Sequence, residues 1–264
     1  RERYVPIPMD RMFEPFHDLV TDYGASYETA GVIDGGKKCW ISALLPNDFK
    51  LKNREDDVIK QRIFAFGSND GTKRNAYSSI AHRLMCNNQL NLIMTSASKS
   101  AFGMSHTKNW EDQWVLAQAN FQATLDSHKE FEKVANILDD NEMTVGQARG
   151  FATELLPDRV YDDKKERRKT NRIVNRREQI VDLFVGGAGN RGATRWDALN
   201  AVTEYLDHHN QAKKLEGKNG FKNAQRRFVS NNFGGLGDRV KQKALHLLCR
   251  NSLFANISEP QYTN

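Results

Sequence analysis

Carboxylates stand in adjacent pairs at Asp56-Asp57, Glu111-Asp112, Asp139-Asp140 and Asp162-Asp163. Clustered groups of this kind are what a nuclease needs to hold Mg²⁺. Asp163-x-Lys165 and Glu216-x-Lys218 also match the acidic-x-Lys piece of a common nuclease motif. Both lie in highly charged stretches with no strand pattern, so solvated helix ends and loops account for them. His82 and Cys86 are four apart and His246 and Cys249 three apart, which puts each pair on one face of a helix. Together they would make a Cys2His2 set, but the loop spacing of zinc sites is absent. Cys39, Cys86 and Cys249 read instead as small core hydrophobes. Gly186-Gly187-Ala188-Gly189 lacks the Lys-Ser/Thr of a phosphate-binding loop and follows a helix rather than a strand. His208-His209 closes a helix, where positive charge is favourable. No Ser or Cys has a recognisable base partner. These residues specify no catalytic set, metal or cofactor, and a Mg²⁺-dependent nuclease is the competing enzyme reading.

Basic residues form the more informative constellation. Lys37, Lys38, Lys73, Arg74 and Arg83 gather where predicted elements join, with Trp40, Phe66 and Tyr77 nearby. Cations that track a phosphate backbone beside aromatic rings that stack bases are how single strands are bound without sequence readout. Asn87 and Asn88 add hydrogen-bonding groups for backbone or bases. Arg167, Arg168, Arg172, Arg176, Arg226 and Arg227 form a second tier, for duplex contact or a neighbouring subunit. A plainer reading stands beside this one. Trp40 and Phe66 can be sheet core, and hairpin-tip lysines can serve only to discourage edge pairing.

The elements that must position these groups follow from pattern. Asp10 caps a helix that ends at Gly24. Ser26–Ile33 and residues 37–45 read as two strands of a hairpin turned at Asp34-Gly35-Gly36, and residues 61–67 as a third strand. Residues 46–60 read as a polar connection with at most a short edge strand. Residues 76–88 have helical spacing, with Tyr77, Ile80, Ala81, Leu84 and Met85 on one side. Residues 110–138 form the strongest helix, roughly 43 Å long at 1.5 Å per residue. Thr144 with Gln147 matches a capping box, and Pro157 stops the helix that follows. Eight basic residues between 162 and 178 lead into an apolar stripe, a basic amphipathic helix. Thr194 caps the next helix, and two short basic helices flank a bend at Gly234-Gly235-Leu236-Gly237. The expected fold is α+β, a small antiparallel sheet packed by helices with a long central helix. Residues 1–140 make the α+β core, and residues 141–264 a basic helical region packing on it.

The chain's 264 residues can bury a substantial core. No apolar run is long enough to cross a bilayer, and no signal segment opens the chain. The start at Arg1 in place of Met suggests that a leader, tag or disordered start is missing. Three widely spaced cysteines argue against a disulfide framework and fit a reducing cytoplasm. The net charge of +6 is uneven. Residues 1–160 hold 19 Lys/Arg against 22 Asp/Glu, net −3, and residues 161–264 hold 20 against 11, net +9. That asymmetry points to an acidic partner, most often nucleic acid.

Four stretches carry a resemblance: YETAGVIDGGKKCWISALL (27–45), SNDGT (68–72), RLMCNNQLNL (83–92) and NAVTEYLDHH (200–209). In this order they resemble the phage/plasmid-like protein family that carries domain of unknown function nine-three-two. Arg83, Cys86 and Asn88 match the core of the family pattern. Leu84 to Leu90 departs from the Val-Val-Cys-Gln-Asn-Thr-Leu-like stretch of other members, and Trp196-Asp197 replaces an aromatic-Gly pair. More distantly, the order helix, hairpin, third strand and basic helix is similar to the single-strand annealing core of the Rad-fifty-two / Red-beta / RecT group. That similarity implies an ATP-independent protein that holds single-stranded DNA and anneals it as a homo-oligomeric ring or filament. The resemblance implies phage or plasmid recombination in the cytoplasm of a bacterial host. A non-enzymatic interaction protein, docking through the long helix, is the remaining alternative.

Overall fold

Strand β4 (Arg54–Ser68) is the spine of the molecule because its fifteen residues serve three partners. On one edge it takes β3 (Phe49–Leu51) and then β2 (Lys38–Leu44), and on the other β5 (Asn75–Arg83). Helix α1 (Met9–Tyr23) and β1 (Ser26–Ile33) precede them, and β6 (Asn88–Asn91) and β7 (Gly103–Met104) follow. Among the described residues this makes a seven-stranded antiparallel sheet of order β1-β2-β4-β5-β6, with β3 on β4 and β7 on β5. The computed structural model describes residues 5–33, 35–71, 75–85, 88–91, 103–104, 107–112, 115, 121–158, 166–210, 220–232 and 234–250.

Two segments differ from the sequence expectation, for one reason. Residues 75–83 are a strand, not the first turns of a helix, and residues 54–60 belong to β4 rather than to a polar connection. Tyr77, Ile80 and Ala81 are all buried although they fall on both faces of β5. A strand covered on both sides loses the alternation that marks it and imitates a helical spacing. Leu84 and Met85, expected on an apolar helical face, lie in an exposed turn, each 44% accessible. A strand therefore follows the third strand where the distant likeness to annealing proteins requires a basic helix.

Helix α1 covers one end of the sheet, where Phe16 stacks on Tyr77 with ring centroids 6.1 Å apart over Cys39, Ala43, Ile63 and Ala65. Residues 110–112 are helical, and α2 (Phe121–Asp140) covers the greater part of the long helix expected over residues 110–138. It sets Phe131 against Phe49 and Trp196. Helices α3 (Val145–Leu155), α4 (Glu166–Gly186) and α5 (Arg195–Glu204) follow, then a π-helical turn (Tyr205–His209), α6 (Gly220–Asn232) and α7 (Leu236–Cys249). Thr144–Gln147 and Thr194–Asp197 each close a reciprocal capping box at the start of α3 and α5. One apolar cluster runs from Phe49, Leu51 and Ile59 of the sheet through α2 and α3 to Leu245 and Leu248 of α7. Sheet and helical half thus share a core. No described helix is long and apolar enough to cross a membrane.

Candidate nucleic-acid interface

The cations singled out in the sequence fall into three environments. The first is buried. Arg83, at the end of β5, points its guanidinium at Asp57 of β4, with Nε 2.7 Å from Oδ1 and Nη2 2.6 Å from Oδ2. Its remaining donors reach Asn190 Oδ1 (2.9 Å), the Gly189 carbonyl (2.8 Å) and the Ala188 carbonyl (3.3 Å). Trp196 donates its indole N–H to the same Asp57 at 3.0 Å and lies with its ring under the guanidinium, 5.8 Å from the centroid. Arg54, at the start of β4, repeats the arrangement. It binds Asp139 of α2 and Asp197 of α5 at 2.7 and 2.6 Å, the Thr194 hydroxyl at 3.0 Å and the Gly189 carbonyl at 3.3 Å. Burial opposes the charge on Arg54, but Asp197 and Asp139 outweigh it and hold its pKa above the ordinary value. Burial likewise pushes Asp197 up, and Arg54 with the Ala193 N–H pulls it below the ordinary carboxylate range.

Two guanidinia converge on one carbonyl, and the backbone at Gly189 is shaped for it. Its φ is +71°, and a Cβ there would stand 2.9 Å from Arg83 Nη2 and 2.9 Å from Met85 Sδ. The Gly-rich stretch thus lies against the sheet as the receiver of two arginine clamps. Arg83 is consumed by this clamp and is not a phosphate contact. Asp57 and Asp139, expected in solvated pairs, are taken up by the same guanidinia.

The second environment is the hairpin tip. Gly35 and Gly36 turn the β1–β2 hairpin with φ of +68° and +88°, as expected of that turn. Lys37 is exposed there, and its carbonyl accepts from the Asn69 N–H at 2.9 Å. Lys38 pairs with Asp70 at 2.8 Å. Register separates these lysines from Arg83. Lys38 lies opposite Ser68 and Arg83 opposite Ile59, nine residues along β4, or about 30 Å. Tyr77 is buried beneath Phe16 and Phe66 lies in the core, so neither can stack a base. Trp40 packs between Phe64 and Phe228 of α6, with centroids 5.7 and 5.3 Å away. The basic seam expected from Lys37 to Arg83 is therefore divided between two ends of the sheet. Lys73, Arg74, Asn87 and Cys86 lie outside the described residues. Asn88 opens β6, and its side chain lies outside them too. His82 sits on a strand, so the helical spacing proposed for His82 and Cys86 does not apply.

The third environment is exposed. Arg172 and Arg176 stand one turn apart on α4 and both face solvent, as does Arg226 on α6. Arg167 and Arg168 lie in the first turn of α4, their side chains outside the described residues. Arg177, next on the helix, is buried and holds the Leu156 carbonyl at 2.8 Å and Asp158 at 3.0 Å. Arg176 reaches Tyr205, the first residue of the π-turn, whose hydroxyl is pushed up by burial against the opposing pull of that arginine. From the other side Asn231 of α6 donates to the Leu206 carbonyl at 2.8 Å and to Asp207 at 2.9 Å. The π-turn thus joins two basic helices that are distant in sequence. It also caps the sheet. Asp207 accepts from the Gln89 N–H of β6 at 3.0 Å and from the buried Lys241 of α7 at 2.7 Å, and Lys241 in turn donates to the Gln89 carbonyl at 2.5 Å.

A further pair escaped the sequence. His128 of α2 places Nε2 2.7 Å from Ser79 Oγ of β5, and Ser127 Oγ lies 3.4 Å from the same oxygen. The residues are 49 apart, and no local motif links them. His128 is fully buried, and burial lowers its pKa to about 3. Its Nδ1 has no partner among the described residues, so this Ser–His pair lacks the third group that would orient a catalytic base.

A family model described as Domain of unknown function (DUF932) matches residues 1–229, and the chain belongs to that family. No curated protein and no solved structure matches it.

Proposed function

We propose that this member of a family of unknown function binds single-stranded DNA through the face shared by α4, the π-turn and α6, and promotes strand annealing as a homo-oligomer. The observation that carries the reading is that two helices bearing exposed arginines, α4 with Arg172 and Arg176 and α6 with Arg226, both pack on the π-turn. Arg176 touches Tyr205 while α6, with Arg226, packs on Leu206 and Asp207. Helix stability does not account for the charge on α4. Arg167, Arg168 and Lys169 lie in its first turn, where the helix dipole disfavours cations by about 0.3–1 kcal/mol each. Residues 161–264 carry 20 Lys/Arg against 11 Asp/Glu, and Arg172, Arg176 and Arg226 are cations of that segment left exposed on these two helices, where they attract a polyanion. Annealing involves no bond chemistry. Neutralising phosphates while bases stay exposed removes the repulsion between two strands. The resemblance to phage and plasmid proteins is the reason we assign this activity to recombination.

The test is fluorescence anisotropy of a labelled dT oligonucleotide across a salt series. Wild-type binding should weaken steeply with salt, and Arg172→Ala with Arg176→Ala should lower the log–log slope by about 1.4 for two lost contacts to a single strand. Complementary strands mixed with the protein should pair faster and remain full length. Shortened strands in Mg²⁺ would replace this reading with a nuclease. Absence of salt-sensitive binding would leave an interaction protein.

A further inference from the structure

Strand β1 closes one end of the sheet, and among the described residues it pairs only with β2. Its outer edge therefore presents backbone N–H and C=O groups that a further strand can take up. Proteins guard such edges with charge, proline or a bulge. Here a bulge lies between Tyr27 and Thr29. The one charged side chain of the strand, Glu28, is turned toward the sheet, to Arg62 of β4 and to Ser42 Oγ of β2 at 3.3 Å. Beyond the bulge, residues 29–33 (Thr-Ala-Gly-Val-Ile) keep regular register with β2 and carry neither charge nor proline. This part of the edge is unguarded.

An apolar face also runs out at the same edge. Tyr27, Ala30 and Val32 lie opposite Ala43, Ile41 and Cys39 of β2, so all three share the face that α1 covers farther in. On β1 that cover is missing. Tyr27 and Val32 are 49% and 62% accessible, Ala30 is exposed, and Tyr23 at the end of α1 is 40% accessible. Charge then decides which strand fits. The exposed Asp22 stands just before the start of β1, and the exposed Lys37 stands just after its end, past the Gly35-Gly36 turn. A second copy running antiparallel sets each end of β1 against the opposite end of the other, and so brings Lys37 toward Asp22 twice. A parallel copy would set like charge against like.

We propose that β1 pairs antiparallel with β1 of a second copy about a two-fold axis at Gly31, joining two sheets into one. Gly31 is the middle of the five regular residues, and an axis there places Ala30 opposite Val32 of the other copy on the α1 face, twice per dimer. Such a contact is isologous and closes on itself. It makes the pairwise unit of the homo-oligomer in the DNA-binding reading, and it takes nothing else from that reading. The arginines of α4 and α6 play no part in it.

Sedimentation velocity over a concentration series, at low salt and without DNA, reads the association. Wild type should pass from monomer to dimer or to multiples of it. Val32→Lys sets two ammonium groups beside the axis and should weaken association about tenfold, the worth of two cross-strand pairs. Its circular dichroism should match wild type, because Val32 is exposed in the monomer. Lys37→Glu and Asp22→Lys should each weaken association, and the two combined should restore it, a rescue that a purely structural role of either residue would not produce. The combined variant decides the matter if Val32→Lys fails to fold. A wild type that stays monomeric at every concentration overturns the pairing. So does an assembly whose mass none of these changes alters, since its contacts then lie on another surface. Titrating the same proteins with a labelled dT oligonucleotide keeps the two readings apart. Association through β1 without salt-sensitive oligonucleotide binding leaves the interface standing and removes the DNA face. Oligonucleotide binding by a chain that never associates does the reverse.

Discussion

Arg54, Arg83 and Lys241 on one side, and Arg172, Arg176 and Arg226 on the other, contribute equally to the net charge and have opposite surroundings. Each of the first three is buried and matched to a carboxylate: Arg54 to Asp139 and Asp197, Arg83 to Asp57, Lys241 to Asp207. Each of them also reaches a backbone carbonyl of an element distant in the chain. The exposed three keep their charge in water, where an added anion can reach it. Buried cations lock the helical half onto the open end of β4, β5 and β6, and exposed cations are what remains for a ligand. Net charge therefore overstates the surface available to a polyanion, and pairing must be subtracted before a basic patch is credited with binding.

The largest effect should come from breaking one buried match. Arg83→Ala leaves Asp57 buried beside Trp196 with its principal partner gone, and the expected loss is about 3–5 kcal/mol of unfolding free energy. Replacing both members by apolar residues, Arg83→Met with Asp57→Leu, should recover much of that loss. Urea melts of the two variants and wild type measure both numbers. Oligonucleotide affinity of the folded fraction should not change, because Arg83 belongs to the seam and not to the face. A loss of affinity at unchanged stability would erase the distinction between the two sets of cations.

Local chemistry in the sequence located much of the fold. The glycines of the β1–β2 turn, the caps at Thr144 and Thr194 and the stop before Pro157 each act within a few residues, and each lies where expected. The burial of β5 was hidden because coverage on both faces removed its alternation. Its neighbour β4 was hidden at its polar start, where Arg54 and Asp57 are core residues that read as surface ones. Arg83 could not be assigned from sequence because its partners are Asp57, 26 residues away, and the loop at 188–190, more than 100 away. Likewise Arg177 and Arg176 are adjacent in sequence, but the first caps α3 while the second faces solvent. The charge imbalance was legible, and which charges were free was not.

His128 presents the case of a buried base with no acid, and it sharpens the rule. Without a carboxylate the imidazole remains neutral, its pKa near 3 against about 6.5 in the unfolded chain. A depressed folded value means that the unfolded state takes up the proton first as pH falls. Stability attributable to this group is thus full above pH 6.5 and declines below it, by about 2 kcal/mol at pH 5, until the folded value near 3 is reached. His128→Leu should remove that slope whatever its effect at neutral pH. Denaturant titrations at pH 7, 6 and 5 on both proteins test this, and parallel pH dependences would mean that His128 accepts a proton in the folded state.

Lys38 lies between the two classes and should give the smallest effect. It is matched to Asp70, but at the sheet end away from the seam, and Ser68 Oγ donates to the same carboxylate at 2.6 Å. Lys38→Ala removes one partner of a largely buried pair, 12% and 16% exposed, and should cost about 1–2 kcal/mol, less than breaking the fully buried Arg83 match. Its mirror, Asp70→Ala, takes this carboxylate from Lys38 beside exposed Lys37. If DNA runs only along α4 and α6, removing the carboxylate should leave oligonucleotide affinity and its salt slope at wild-type values. If the strand also crosses the hairpin tip, affinity should rise and the slope steepen by about 0.7, one added phosphate contact. An increase on Asp70→Ala together with a decrease on Arg172→Ala would join the two ends into one path. An increase without that decrease would move the binding face from the helices to the hairpin.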